Sequence, residues 1–495
     1  MIGPLSSIWF IRQAKIALFY LYLWQLKEYH LGRFLAHFQT EKGKKLILNK
    51  LSVFKIFLVL MFFVSFSLFF FLLLALYLLE AVWFFKNLFH RKLKKPVLTL
   101  KTSFLIVGAL ILQIIFLFLL FKIVKEVKWF VFYLLILDVF LPLIVSVFVL
   151  LLEPLTVFLR NRILRKAAQK RESLKNLTVI GITGSYGKTS TKEFLAVILE
   201  KKYNVLKTKE HQNSEIGISQ CILNDLTKDH EIFIVEMGAY NKGGIKLLCD
   251  IAKPKIGILT GINEQHLAIF GSQENIIKTK YELIEALPEN GIAFFNGKNK
   301  YCLDLYQKEL IKIKKILYGK EAKFPGEENI LVAVAVAREL RMNEDEISKA
   351  VKEIKNVFPG IEIKKGKNGA NIIDATFSAN PDGVIAHLEY LKNWQGKKIM
   401  VMPCLIELGK ASKKVHQRIG RKIGEVCDLA IITEKECYDD IKKAAVEYGM
   451  KEKAVLFLQK PNDIFEKIKY FNGKEDVILL ESRISKELID KMMVV

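Results

Sequence analysis

The chain has 495 residues, enough for two or three domains, and 52% of them are hydrophobic, giving a mean hydropathy of +0.24 that is high for a purely soluble enzyme. Its formal net charge of +24 is uneven: roughly +18 falls before Asn176 and about +6 after it. A basic excess confined to apolar flanks, with no basic stripe interleaved with aromatics downstream, argues against a nucleic-acid partner.

The first stretch, 1–54, reads as an interfacial or amphipathic segment. Its apolar part, Ile8 to Trp24, is broken by Arg12 and Lys15 and lacks a small-residue cleavage site, so it is not a signal peptide. Residues 55–152 then carry three runs long and apolar enough to cross a bilayer: Ile56–Leu79, Ser103–Phe121 and Trp129–Leu152. Asp138 interrupts the third and is a candidate buried acid, with a hydrogen-bonded bundle residue near Pro142 as the plainer reading. A basic juxtamembrane linker, 153–176, follows with Arg160, Arg162, Arg165, Lys166, Lys170 and Arg171.

Those cations and the His90–Lys95 loop belong on the cytoplasmic side. With three spans, however, Lys42, Lys44, Lys45, Lys50 and Lys55 would face outward, which breaks the same rule.

From Leu177 short β-branched runs alternate with helical ones, the pattern of α/β units with a parallel sheet. The expected strands include Leu177–Ile180, Ile232–Val235, Ile256–Leu259, Ile292–Phe295, Lys398–Met402 and Leu429–Ile432. Between the first strand and a helix sits Gly184-Ser-Tyr-Gly-Lys-Thr-Ser190. Strand, glycine-rich turn and helix N-terminus together make a phosphate cradle, although the spacing misses the commonest G-x-x-x-x-G-K-[ST] pattern. Gly184, Ser185, Gly187, Lys188, Thr189 and Ser190 are therefore candidate nucleotide contacts. Lys188 can reach terminal phosphates, and Thr189 can place its hydroxyl on Mg²⁺. Glu236 ends a strand where a carboxylate suits the same ion. His266 and Asn296 stand at later strand-to-loop junctions, and Lys280 lies on the helix that follows His266. Six scattered cysteines without a C-x-x-C pair suggest neither a zinc site nor a disulfide framework, and fit a reducing compartment.

In combination these motifs resemble the Mur ligase family of ATP-dependent amide-forming ligases. Gly184–Thr189 looks like its phosphate loop, Glu236-Met-Gly238 like its magnesium segment, and Gly261-Ile-Asn-Glu-Gln-His-Leu267 through Phe270-Gly-Ser272 to Lys280-Tyr-Glu282 like its stretch from His to Lys. Asp374-Ala-Thr-Phe-Ser-Ala-Asn-Pro-Asp382, Ile406-Glu-Leu-Gly409 with His416, and Asp476–Arg483 resemble the branch that adds D-alanyl-D-alanine. The resemblance implies a P-loop ATPase domain of the Mur ligase type over 177–355 and a Rossmann-like C-terminal α/β domain over 356–495, behind N-terminal transmembrane helices.

It also implies roles. Lys188, Lys280 and His266 would be catalytic; Thr189, Glu236, His266 and Lys280, the last as a carbamate, would serve the metal; Asn296, Asp374 and Asn380 would contact the nucleotide. The implied partners are ATP, Mg²⁺, a carboxylate-bearing cell-wall precursor, an amino-acid or dipeptide amine, and a lipid bilayer, with the ligase domains on the cytoplasmic side.

Departures temper the C-terminal half. Pro325-Gly-Glu-Glu-Asn329 loses a family His, Gly360 is followed by Ile361 rather than Arg, Pro403-Cys-Leu405 replaces G-D-M, and Glu481-Ser-Arg483 replaces K-G-S-R. The helices stand where the family carries a uridine-nucleotide-binding domain. The alternatives are a ligase acting on a lipid-linked precursor or a poly-γ-glutamate-type chain, or a non-catalytic nucleotide-binding membrane scaffold.

Overall fold

The computed structural model describes residues 2–27, 29–39, 41–47, 50–90, 93–210, 212–308, 312–323, 326–355, 362–366, 369–376, 380–473 and 475–492. Pro325, Gly360, Ile361 and Phe377–Ala379 of the motifs above lie outside these residues. The chain divides into two compact units, Met1–Asn161 and Arg162–Val495.

The first unit is helical: α1 (Ile2–Leu26), α2 (Leu31–Gln39), α3 (Glu41–Ile47), α4 (Lys50–Val64), α5 (Phe66–Phe89), α6 (Leu100–Ile123), α7 (Val127–Leu151) and the start of α8 (Glu153–Ser173). Among the described residues four stretches, not three, have the length and apolar composition to cross a membrane: Gly43–Val64, Phe66–Phe89, Leu100–Ile123 and Val127–Leu151. The run Ile56–Leu79 divides at Ser65, whose backbone is extended and whose hydroxyl accepts the Leu68 N–H to start α5. A serine inside an apolar run leaves no trace in a hydropathy average, so the break is invisible there.

α1 also departs from the interfacial reading, because Trp9, Arg12, Gln13 and Trp24 are all buried. It runs alongside α7 in the same direction. Trp9 Nε1 donates to the Leu134 carbonyl at 2.9 Å, Gln13 Nε2 to Asp138 at 2.9 Å, and Trp24 Nε1 to Ser146 at 3.1 Å. Arg12 lies 2.5 Å from Asp138 and pairs with Glu80, while Lys55 lies 3.2 Å from Asp138. Lys55 of α4 and Glu80 of α5 thus meet one cluster, which requires those helices to fold back on each other at Ser65. Two cations and two acids balance inside an apolar bundle, and Asp138 is the hub.

The second unit carries two six-stranded sheets. The first contains β1 (Thr178–Thr183), β2 (Val205–Lys207), β3 (Ile232–Glu236), β4 (Ile256–Leu259), β5 (Ile292–Asn296) and β6 (Lys314–Tyr318) in the order β2-β3-β1-β4-β5-β6, all parallel. The second contains β7 (Glu362–Lys365), β8 (Asn371–Ala375), β9 (Lys398–Met402), β10 (Leu429–Ile432), β11 (Val455–Phe457) and β12 (Val477–Glu481) in the order β11-β10-β9-β12-β8-β7, parallel except for β7. Helices cover both faces, which is why β3, β4, β8 and β12 are buried at every position and read as continuous apolar runs rather than alternating ones.

The basic stretch expected as a linker is helical through Ser173. Its second half belongs to this unit: Leu164 and Ala167 enter the core, and Arg171 donates to the carbonyls of Ala252, Leu174 and Leu177 at 3.0–3.2 Å.

The cysteine expectation fails at one pair. Cys404 and Cys437 are joined in a disulfide with Cα atoms 5.7 Å apart, while Cys221, Cys249, Cys302 and Cys427 are free and buried. The two partners are 33 residues apart in sequence, but they follow β9 and β10, which are neighbours in a parallel sheet, so both chains leave the sheet at the same edge.

Removing the hub of the helical cluster has a definite cost. Asp138→Asn leaves Arg12 and Lys55 without their shared carboxylate, and breaking such a buried pair costs about 3–5 kcal/mol. Thermal unfolding of the full chain in detergent should show a lowered first transition. Asp138→Leu combined with Arg12→Met, Lys55→Met and Glu80→Gln, which leaves no stranded charge, should recover most of the loss.

Candidate active site

The site is built at the carboxyl ends of the first sheet, where β1 and β4 turn into their loops. Gly184 leaves no room for a side chain, since a Cβ there would meet Thr260 Oγ1 at 2.1 Å. Gly187 adopts φ 77° and caps α9 (Lys188–Leu199), and a Cβ on it would meet Asn329 Oδ1 at 2.7 Å. The loop is held from outside. Ser185 N–H donates to the Gly261 carbonyl at 2.6 Å, its hydroxyl accepts the Asn263 N–H at 3.2 Å, and Thr260 Oγ1 donates to the Tyr186 carbonyl. Ser190 sits in the first turn of α9.

Glu236 is pinned at the end of β3 from several directions. Thr189 Oγ1 donates to its Oε2 at 2.9 Å, Asn213 Nδ2 donates to its Oε1 at 3.1 Å, and Lys192 Nζ lies 3.7 Å away. Lys188 Nζ donates to the Gly184 carbonyl at 2.9 Å, and burial lowers its pKa. Lys280, buried on the helix Gln273–Glu285, has its pKa pushed down to about 7, first by burial and then by the charge of Lys188. His266 adopts φ 65° at the N-terminus of the short helix Leu267–Phe270, and its ring meets Tyr240 edge-on at 5.1 Å. Its pKa is lowered chiefly by burial, opposed by Glu407 and reinforced by the charges of Lys280 and Lys188.

The second sheet contributes across this cleft. Glu407, itself at φ 65°, accepts from His266 Nδ1–H at 2.6 Å, while its carbonyl accepts the Ala268 N–H at 2.9 Å. Asn380 caps the helix Pro381–Lys392 by accepting the Gly383 N–H. Asn263 Nδ2 donates to Asp382 at 2.9 Å and to Asn380 at 3.4 Å. Arg418 lies 3.2 Å from Asp382 and 3.8 Å from Glu264.

The candidates are therefore distributed unevenly. Lys188, Thr189, Glu236, His266 and Lys280 surround one cleft, and Asn380 reaches its rim. Asn296 is turned inward: its amide donates to the Thr260 carbonyl at 2.6 Å and its Oδ1 accepts the Lys298 N–H. Asp374 is bound to Thr376 at 2.7 Å and to Lys364 at 3.4 Å. Lys192, Asn213 and Glu407 stand beside the candidates, and the sequence reading gave none of them a role. Lys192 carried a signal in its four-residue step from Lys188 along one helix face, and Glu407 in its motif Ile406-Glu-Leu-Gly409.

This is a two-domain α/β architecture that gathers lysines, a carboxylate and a histidine where its first sheet opens. Residues 182–364 match the Mur ligase middle domain, and residues 361–483 match the Mur ligase glutamate ligase domain. Through these two domains the chain belongs to the Mur ligase family.

It is 30% identical over 279 residues to the UDP-N-acetylmuramoyl-tripeptide–D-alanyl-D-alanine ligase of Synechocystis, an alignment covering 50% of this chain and 59% of that one. It is 26% identical over 333 residues to the Bacillus subtilis enzyme of the same name, covering 61% and 72%. Among solved structures, MurF ligase from Thermotoga maritima in complex with ADP matches with TM-score 0.57 and 26% identity over 67% of this chain and 83% of that one. MurF from Acinetobacter baumannii matches in fold with TM-score 0.59, at 23% identity, over 67% and 80%.

The His266–Glu407 contact makes a pH-dependent prediction. A histidine whose folded pKa lies below its ordinary value of about 6.5 is accommodated neutral, so its contribution to stability is present above pH 6.5 and is lost as acid protonates it. Glu407→Gln removes the one influence that raises this pKa. Histidine hydrogen–deuterium exchange should then place His266 lower than in the parent, and an unchanged value would discard the ion pair.

Proposed function

We propose that this protein is an ATP-dependent, ADP-forming acid–amine ligase of cell-wall precursor synthesis, of the D-alanyl-D-alanine-adding type, held at the cytoplasmic face of a membrane by its helical unit. The observation that carries this reading is the convergence of Lys188, Thr189, Glu236, His266 and Lys280 on one cleft that Glu407 and Asn380 approach from the second sheet.

In such a reaction a substrate carboxylate attacks the γ-phosphate of ATP, releasing ADP and leaving an acyl phosphate. The amine then attacks the acyl carbon and phosphate departs. Both steps are governed by positioning and charge neutralisation. Lys188 and the backbone N–H groups at the start of α9 would hold the phosphates. The Glu236 carboxylate and Thr189 hydroxyl, oxygen donors 2.9 Å apart, suit Mg²⁺, which would neutralise phosphate charge when bound. His266 would serve a second ion. Asp374, Asn380 and Asn296 are assigned to the nucleotide side, Asn296 by fixing the Thr260 strand end.

Lys280 supports the carbamate reading on physical grounds. Uptake of CO₂ needs a neutral amine, and a pKa of about 7 leaves a large neutral fraction at physiological pH. Carbamylation would convert a cation repelled by Lys188 into an anion attracted to it.

For the helical unit, the fold-back at Ser65 removes the charge conflict. With α4 and α5 antiparallel, and α6 and α7 likewise, the basic stretches before α4, after α5 and after α7 fall at one end, which is then cytoplasmic. α1 adds a further crossing beside α7. A donor carried in the membrane plane would gain effective concentration from such tethering.

Two measurements test these claims. In lipid, with Mg²⁺ and a candidate tripeptide precursor plus D-alanyl-D-alanine, phosphate release should fall about 10²- to 10³-fold in Lys188→Ala, the scale for losing one preorganised charge-stabilising group. Bicarbonate depletion should slow the parent enzyme and leave Lys280→Ala unaffected. If no combination of acid and amine stimulates release above the Lys188→Ala level, the ligase reading fails. For topology, cysteines at Ser65 and Glu126 should react with an impermeant maleimide on intact cells, and cysteines at Lys94 and Asn161 only after permeabilisation.

A further inference from the structure

Cys404, Cys437 and His416 form a buried cluster whose two sulfurs and one imidazole nitrogen all lie within 4.8 Å of one another. They come from three elements of the second sheet: the loop after β9, the turn after β10, and the helix Ser412–Val426. His416 is held as a ligand would be. Its Nδ1–H donates to the Ser412 carbonyl at 2.9 Å, which fixes the tautomer and turns the bare Nε2 inward. That nitrogen accepts the Leu405 N–H at 3.0 Å, the bond a cation would replace. Burial lowers the pKa of this histidine and keeps it neutral. The Cys437 N–H already points at Cys404 Sγ, 3.0 Å away, and the Glu434 carbonyl lies 3.7 Å from the same sulfur.

We propose that, in the reduced protein, Cys404, Cys437 and His416 bind one zinc ion, a site separate from the cleft at Lys188. The proposal rests on the reading that this unit works on ATP in the cytoplasm, where low-molecular-weight thiols keep cysteines reduced. Two such thiols reduce the disulfide to two cysteine thiols and leave as their own disulfide. Zinc then displaces the two thiol protons to solvent. Two thiolates and a neutral imidazole are the donor set of a zinc site with a fourth position for water or a carbonyl. A tetrahedral ion with bonds of about 2.0–2.3 Å spaces its ligand atoms about 3.3–3.8 Å apart, so the two bonded sulfurs must separate to receive it.

The purpose is mechanical. Leu405 and Glu407 flank Ile406, so an ion fastened at Cys404 anchors the segment that carries Glu407 to His266.

The test reads metal rather than turnover. The full chain, purified in detergent with a thiol reductant and no chelator, should contain about one zinc by elemental analysis. Cys437→Ser and His416→Ala should each lose it, and Cys427→Ser, a buried cysteine elsewhere, should keep it. Cobalt exchanged into the parent should give a thiolate charge-transfer band that is absent in Cys437→Ser. Parent protein without zinc, whether its pair is reduced or joined, overturns the proposal even if the variants fail to fold. So does zinc retained in both variants. Because metal content is measured without substrates, an inactive enzyme that holds zinc refutes only the ligase reading, and an active one without zinc refutes only the site.

Discussion

The electrostatic coupling of the buried Lys280 amine to the part-buried Lys188 amine is the constraint on which the second unit turns. Lys188 and Lys280 come from different helices, and neither is neutralised by a carboxylate in direct contact among the described residues. Holding Lys280 at a pKa of about 7 instead of 10.5 corresponds to a penalty on the order of 5 kcal/mol against its charged form. A fold tolerates such a penalty where a polyanion or a chemical change of the lysine relieves it. The rest of the cleft follows the same logic: Glu236 is tied down by Thr189, Asn213 and Lys192 rather than left to neutralise the two lysines, so the positive potential is kept for what binds there.

What could be read in the sequence divides along the line between local and tertiary information. The loop Gly184–Thr189 and the ordered step from His266 to Lys280 are local, and the parallel sheet declares itself through short apolar runs buried on both faces. Glu407 stood inside a recognised motif, yet its partner His266 lies 141 residues away and nothing in either segment names the other. Asn213 belongs to a loop with no pattern of its own. The Cys404–Cys437 pair is adjacent only because β9 and β10 are neighbours. The amide of Asn296 is committed at both ends, its Nδ2 to the Thr260 carbonyl after β4 and its Oδ1 to the turn beyond β5.

The departures from the family pattern take on physical form on both sheets. Glu481, which stands where the family carries a lysine, is fully buried with its Oε2 2.6 Å from His387 Nδ1, and burial raises its pKa. Ser482 follows in the left-handed region at φ 63°, within a segment one residue shorter than the family's K-G-S-R. Glu328, where the family has histidine, is likewise raised by burial and accepts the Gly326 N–H at 3.0 Å. Glu481 and Glu328 each meet a local partner in the fold.

The helical unit presents the opposite balance. There the cations are paired, with Arg12 and Lys55 against Asp138 and Glu80, and the cluster joins α1, α4, α5 and α7. Uniformly apolar faces do not by themselves select one arrangement, so directional polar contacts and close packing fix that of these helices. Gly108 supplies the packing, since any side chain there would meet Phe148 at 2.5 Å. The charge cluster supplies the register, because sliding one helix by a single turn would strand a charge. Arg12, which interrupts the apolar run of α1 in the sequence, is what ties α1 into the bundle through Asp138 and Glu80. Its polarity is the reason it is buried.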